Sequence, residues 1–148
     1  MKHLHIMTND KFTDDFILFI KNNFSFNKHF FLIIGNSDKS KKEKSTLEYD
    51  NIHKLDTLRN LKNLISFQKY LLISKRIHLH GLFHDDVVKL LFLQPWLLKK
   101  SNWIIWGGDL YSYRKPKNTW RKKVNEFFRG KIIKDLKEIT SFIPGDYK

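Results

Sequence analysis

The sequence contains no cysteine, which excludes disulfides, thiolate zinc centres and cysteine nucleophiles. It is compatible with a reducing compartment without requiring one. No apolar run approaches the ~20 residues that a membrane-spanning helix needs. The start, Met1 to Met7, runs directly into polar Thr8-Asn9-Asp10, too short for the apolar core of a signal peptide. Neither GxGxxG nor GxxxxGK[ST] occurs, so both common glycine-rich phosphate cradles are missing. There is no internal repeat, no coiled-coil period, and no helix-turn-helix, RNP or zinc-finger pattern.

What is present argues for a folded α/β domain. Hydrophobic residues make up 41% of the 148 and aromatics 15%, more than a disordered chain carries and enough for one ordinary core. The Asn, Lys, Ile and Phe bias resembles that of an AT-rich genome, so mild enrichments of those residues carry little weight. Net charge is +13, which implies a polyanionic partner: nucleic acid, an anionic membrane face or a phosphorylated substrate. The charge is concentrated. Arg114, Lys115, Lys117, Arg121, Lys122, Lys123, Arg129 and Lys131 face only Glu126 in that stretch, so eight bases less one acid give +7 of the total.

Periodicity predicts alternating strands and helices. Leu4–Met7 reads as a strand, and 13–24 as a helix through Phe16, Ile17, Ile20 and Phe24. His29–Ile34 is a second strand, stopped by Gly35-Asn36, and 36–46 a solvated loop. Leu47–Ile52 is a weak strand. Thr57 caps a helix over 58–69 with Leu58, Leu61, Leu64 and Ile65 inward. Leu71–Ile73 or Ile77–Leu79 supplies the next strand. A helix opens at Asp85 or Asp86 and runs to Leu98, kinked or ended by Pro95. Trp103–Trp106 is a strand, 118–129 a basic amphipathic helix and Glu138–Ile143 a last strand. Such alternation predicts a parallel, doubly wound sheet in one domain. The sequence stops at Asp146-Tyr147-Lys148, just after a strand, which leads to the expectation of a fragment.

Chemistry concentrates where two apolar runs break at glycine: His78-Leu79-His80-Gly81-Leu82-Phe83 and Trp103-Ile104-Ile105-Trp106-Gly107-Gly108-Asp109-Leu110-Tyr111. Ligands of open α/β sheets bind beyond the carboxyl ends of the strands. A strand-end His80 beside Gly81 can act as general base or bond a substrate hydroxyl. Composition alone favours a plainer role, a half-buried histidine bonded to a neighbouring loop. Asp109 can take a proton or bond sugar hydroxyls, and equally can close an Asx turn. Trp106 and Tyr111 can stack on a sugar face or belong to the core. His78, His80 and His84 have no carboxylate or thiolate spaced to complete a metal set, so no metal is expected. In the basic helix Trp120, Val124, Phe127 and Phe128 form one face, with Arg121, Lys122, Lys123 and Arg129 on the remainder. Such helices lie on anionic bilayers. They also pack as ordinary surface helices.

These runs resemble the N-terminal half of the family-56 glycosyltransferases, which transfer 4-acetamido-4,6-dideoxygalactose (Fuc4NAc) from TDP to lipid II and are often called 4-α-L-fucosyltransferases. The resemblance extends to Asn9-Asp10, the Phe31–Gly35 strand, the basic aromatic segment and Gly145-Asp146. One departure is Ile104, where members of the family often carry a histidine before Ile-Trp-Gly. The resemblance implies a GT-B enzyme, of which residues 1–148 would be the Rossmann-like, acceptor-side domain without its donor-binding partner. It implies a TDP-sugar as donor substrate and no bound cofactor or metal. It also implies an undecaprenyl-pyrophosphate-linked glycan as acceptor, in enterobacterial common antigen or a related polysaccharide, at the cytoplasmic face of the inner membrane. His80 and Asp109 would be the catalytic candidates, and Asn9, Gly81, Trp106, Gly107 and Tyr111 would bind substrate. Arg114, Lys115, Trp120, Arg121, Lys122, Lys123 and Arg129 would meet headgroup phosphates. Two alternatives stay open: a basic nucleic-acid-binding module, and an inactive remnant or half of a split transferase.

Overall fold

The computed structural model describes residues 2–10, 12–35, 47–82, 84–106 and 119–141, and among these described residues are six strands interspersed with four α-helices. The strands are β1 (His3–Thr8), β2 (His29–Ile34), β3 (Ile52–Leu55), β4 (Arg76–His80), β5 (Ser101–Ile105) and β6 (Glu138–Ser141). The helices are α1 (Thr13–Asn23), α2 (Leu61–Ile73), α3 (Asp85–Phe92) and α4 (Trp120–Asp135). The strands form one sheet in the order β3-β2-β1-β4-β5-β6, with β1–β2, β2–β3 and β5–β6 parallel. This is the Rossmann-like α/β class that the alternation predicts. The chain divides into two compact units, Met1–Ile77 and His78–Lys148.

In the first unit, β2 reads His-Phe-Phe-Leu-Ile-Ile, and its last four residues are buried. A parallel strand covered on both faces is apolar along its length rather than alternating. Met7, Ile17, Ile20, Phe31 and Ile33 make its core, with Phe16, Phe26, Leu47 and Ile52 packed against them. Each fully buried side chain of this size contributes about 1.5–3 kcal/mol. Asn51 fixes the entry to β3 by donating from its amide to the Phe26 and His29 carbonyls at 3.2 and 2.8 Å. That entry places β3 at Ile52–Leu55, later than the Leu47–Ile52 expected.

α2 begins at Leu61, not at 58, because Asn60 rather than Thr57 supplies the cap, accepting from the Lys62 N–H at 2.9 Å. The phase of the helix changes with it. Phe67 and Leu71 point inward, whereas Leu61 and Ile65, expected inside, are 69% and 61% exposed. Leu71–Ile73 closes this helix, and Ile77–Leu79 provides β4.

In the second unit Pro95 ends α3 as expected and opens a 3-10 segment, Pro95–Lys100, whose Leu97 and Leu98 are buried. The Ser101 hydroxyl bonds the Leu97 carbonyl at 2.8 Å and turns the chain into β5. Asn102 and Thr140 pair across β5 and β6 at 3.1 Å.

α4 runs to Asp135, six residues beyond the expected end, and presents an unexpected face. Asn125, Arg129 and Ile132 are buried, while Trp120 and Phe127, of the aromatic face left open between bilayer and core, are exposed. Phe128 stacks on Phe92 at 4.2 Å and anchors the helix on α3. No described helix is long and apolar enough to cross a membrane.

Candidate functional site

At the carboxyl end of β4 in the second unit, His80 is the last strand residue and only 4% exposed. Trp106, one residue beyond β5, donates from its indole N–H to His80 Nδ1 at 3.3 Å. Accepting that bond requires Nδ1 to be bare, which places the imidazole proton on Nε2. Burial, reinforced by the neighbouring His78, lowers the His80 pKa to about 3. His80 is therefore a neutral, buried imidazole near neutral pH, tied to Trp106 at the ends of β4 and β5.

Gly81 extends the pairing one residue past the strand, its N–H donating to the Ile104 carbonyl at 3.1 Å, and then turns with φ 77°. In that left-handed region a Cβ costs about 1–2 kcal/mol. Gly81→Ala is accordingly expected to lower stability by about 1 kcal/mol in urea unfolding. An unchanged midpoint would mean that the turn relaxes freely.

The turn is held from α4. Arg129 donates from Nε to the Leu82 carbonyl at 2.8 Å, pairs through one terminal nitrogen with Glu126 and lies 3.5 Å from Asp85 through the other. Its side chain is 11% exposed. The expectation that Arg129 meets headgroup phosphates is corrected here: the guanidinium is engaged inside the unit. Apolar periodicity misses this role because two of the three inward residues of α4 are polar. The Glu126/Arg129 spacing of three, within bonding reach on a helix, is the signal that could have revealed it.

Asn9 belongs to the first unit, where its N–H donates to the Ile34 carbonyl at 3.3 Å. The connection from β1 to α1 there is closed by its own side chains. Thr13 Oγ1 donates to the Thr8 carbonyl at 2.8 Å, and Asp10 Oδ1 accepts the Phe12 N–H at 2.9 Å. Asp14 and Asp15 occupy the first turn of α1. Gly107, Asp109, Tyr111, Arg114 and Lys115 lie outside the described residues. Among the expected site residues that are described, the structure brings together His80, Gly81 and Trp106. Arg121, Lys122 and Lys123 are exposed on α4.

A histidine group that strand reasoning overlooked sits at the starts of β1 and β2. His5 Nε2 lies 2.9 Å from His29 Nδ1, and His3 stacks on His29 at 4.7 Å. Its signal was two histidines two apart on β1, with His29 in register with His3. Burial first, then the charges of His3 and Lys28, lower the His29 pKa to about 4. Among the described residues no group of three or more His, Cys, Asp or Glu side chains is placed to hold a metal ion.

No protein-family model and no curated protein matches this sequence. Among solved structures, a short-chain dehydrogenase/reductase (wide type) from Veillonella parvula, in complex with NADP, superposes with a TM-score of 0.52 at 7% identity, covering 95% of this chain and 67% of that one. The likeness is one of fold. An enzyme thus uses the same α/β frame, but the dinucleotide site of such folds is not reproduced here. That site needs glycines where β1 turns into its helix, so that a pyrophosphate can approach the helix N-terminus. Thr8 to Thr13 contains no glycine, and around it Asp10, Asp14 and Asp15 outnumber the single base, Lys11, which disfavours an anion there. The residues do not fit a dinucleotide at that turn.

Proposed function

We propose that the chain is the acceptor-side domain of a glycosyltransferase. It would act on a lipid-linked glycan in bacterial surface-polysaccharide synthesis, with a TDP-sugar such as TDP-Fuc4NAc held by a separate donor domain. The observation that carries this reading is a Rossmann-ordered sheet whose β1–α1 turn is glycine-free, while histidine and tryptophan gather at the ends of β4 and β5. That combination is consistent with a nucleotide held elsewhere, and the part-exposed ring of Trp106 offers a face on which the C–H faces of sugars stack. The Trp-Gly-Gly-Asp-Leu-Tyr run, with its resemblance to the family-56 enzymes, adds to it.

In this reading the part-exposed Trp106 presents its ring to the acceptor sugar, and His80, accepting the indole N–H, fixes that ring. Asp109, three residues after Trp106, is the candidate base. Its carboxylate takes the proton of the acceptor hydroxyl as that oxygen bonds to the anomeric carbon, and the nucleoside diphosphate leaves with the electrons of the broken C–O bond. A positioned base of this kind contributes about 10²–10⁴ in rate.

Titration calorimetry with residues 1–148 tests the reading. A short-prenyl pyrophosphate-linked glycan is expected to bind, more weakly to Trp106→Ala, while TDP and NADP are not. Binding of NADP without binding of the glycan would sink the proposal. In the two-domain enzyme, Asp109→Ala is expected to lower transfer at least tenfold.

A further inference from the structure

The outer face of α4 carries an arrangement that neither the core nor the strand-end site uses. Trp120, Lys123, Phe127, Lys131 and Lys134 follow one another at spacings of three or four, which places them along one line of the helix surface. Trp120 is 77% exposed and Phe127 58%, and the three lysines are exposed as well. The two rings are two helical turns apart, about 10.5 Å along the axis. Of the two acids on α4, Glu126 is turned inward to Arg129, and Asp135 ends the helix.

The geometry points to this line as a membrane-docking face, with Trp120 and Phe127 seated among the headgroups of an anionic leaflet and the lysines beside them. A helix lying in the plane of a bilayer touches it along one such line. Indole and phenyl rings favour the interfacial depth, and lysines between them meet lipid phosphates. The charge selects the occupant: an apolar protein partner would gain nothing from lysines interleaved with the rings. A nucleic-acid strand would need the rings in a groove that follows its backbone, not on a convex helix. The expectation of a basic aromatic helix on the membrane is thereby altered in its residues, since Arg129 and Phe128 belong to the interior and Lys131 and Lys134 to the contact. The purpose of the face rests on the lipid-linked acceptor of the proposed function; its test does not.

Cosedimentation of residues 1–148 with phosphatidylcholine vesicles, with and without phosphatidylglycerol, provides that test, because neither vesicle contains a glycan or supports turnover. Binding is expected only with phosphatidylglycerol, together with a blue shift of tryptophan emission that Trp120→Leu abolishes. Lys123→Gln/Lys131→Gln/Lys134→Gln is expected to weaken binding on the order of a hundredfold. Trp120→Ser/Phe127→Ser is expected to remove most of what remains at higher salt. These side chains are exposed, so circular dichroism should be unchanged. Leu61→Ser/Ile65→Ser, on the exposed ridge of α2, should bind as the parent does. The inference is overturned if phosphatidylglycerol vesicles do not bind, if the α2 variant loses binding while the α4 variants keep it, or if duplex or single-stranded nucleic acid binds more tightly through the same residues at matched salt. It is equally overturned if the face proves to mediate self-association that Trp120→Ser/Phe127→Ser abolishes.

Discussion

Arg129→Met is expected to destabilise the fold by about 3 kcal/mol, the cost of removing one member of a largely buried ion pair. Methionine matches the length of the arginine stem, so packing is preserved and the loss is electrostatic. It leaves the Leu82 carbonyl without its Nε donor and the Glu126 carboxylate, 16% exposed, without its cation. The more exposed Asp85 contributes little to this sum, because water screens it. Arg129→Lys should fall between the two, since an ammonium cannot reach the carbonyl and both carboxylates in a fixed fork. Pairing Arg129→Met with Glu126→Gln should recover part of the loss by removing the stranded charge. Urea midpoints at constant m-value measure all three. A loss under about 1 kcal/mol for Arg129→Met would mean the pair behaves like a surface one.

Acid is expected to cost the protein nearly as much through a single ring. His80 has a folded-state pKa of about 3 against 6.5 for an unfolded chain. Between those values the unfolded state holds a proton that the folded state refuses, so stability rises with pH across that window. The contribution is complete above pH 6.5 and is lost as pH falls toward 3. Between pH 7.5 and pH 5 it amounts to about 2 kcal/mol. The indole N–H aimed at Nδ1 acts in the same direction as burial, because only a neutral ring can accept it. His80→Asn retains an acceptor and removes the titration, so its stability should be flatter over this range. Some slope should survive from His29, lowered to about 4 within a group that includes His3, Lys28, Lys2 and Arg76. Parallel pH profiles for parent and His80→Asn would refute the assignment.

The elements best legible in the sequence are those whose burial is apolar and continuous. β2 was readable because a strand covered on both faces has no polar positions to confuse its pattern, and the break at Pro95 because proline cannot continue a helix. The inward faces of α2 and α4 are hard to read for opposite reasons. In α2, exposed leucine and isoleucine imitate a core face, and the cap lies at Asn60 instead of Thr57. In α4, the inner face contains asparagine and arginine, so an apolar pattern cannot show that Phe128 packs inward while Trp120 and Phe127 stay outside. Strand ends at His80 and Trp106 were legible because glycine and polar residues follow them at once. Their contact was not, because no spacing in one sequence says that an indole just beyond β5 reaches an imidazole at the end of β4.

The division of the chain has a consequence for how it acquires its structure. In each half, strands that are neighbours in the sheet are also consecutive in sequence: β1, β2 and β3 in the first, and the end of β4, β5 and β6 in the second. Every pairing within a half therefore closes a single crossover rather than a long loop, which keeps the entropy of closure low and the search local. Each half can thus gather its strands as a cooperative unit of its own, as each emerges during synthesis.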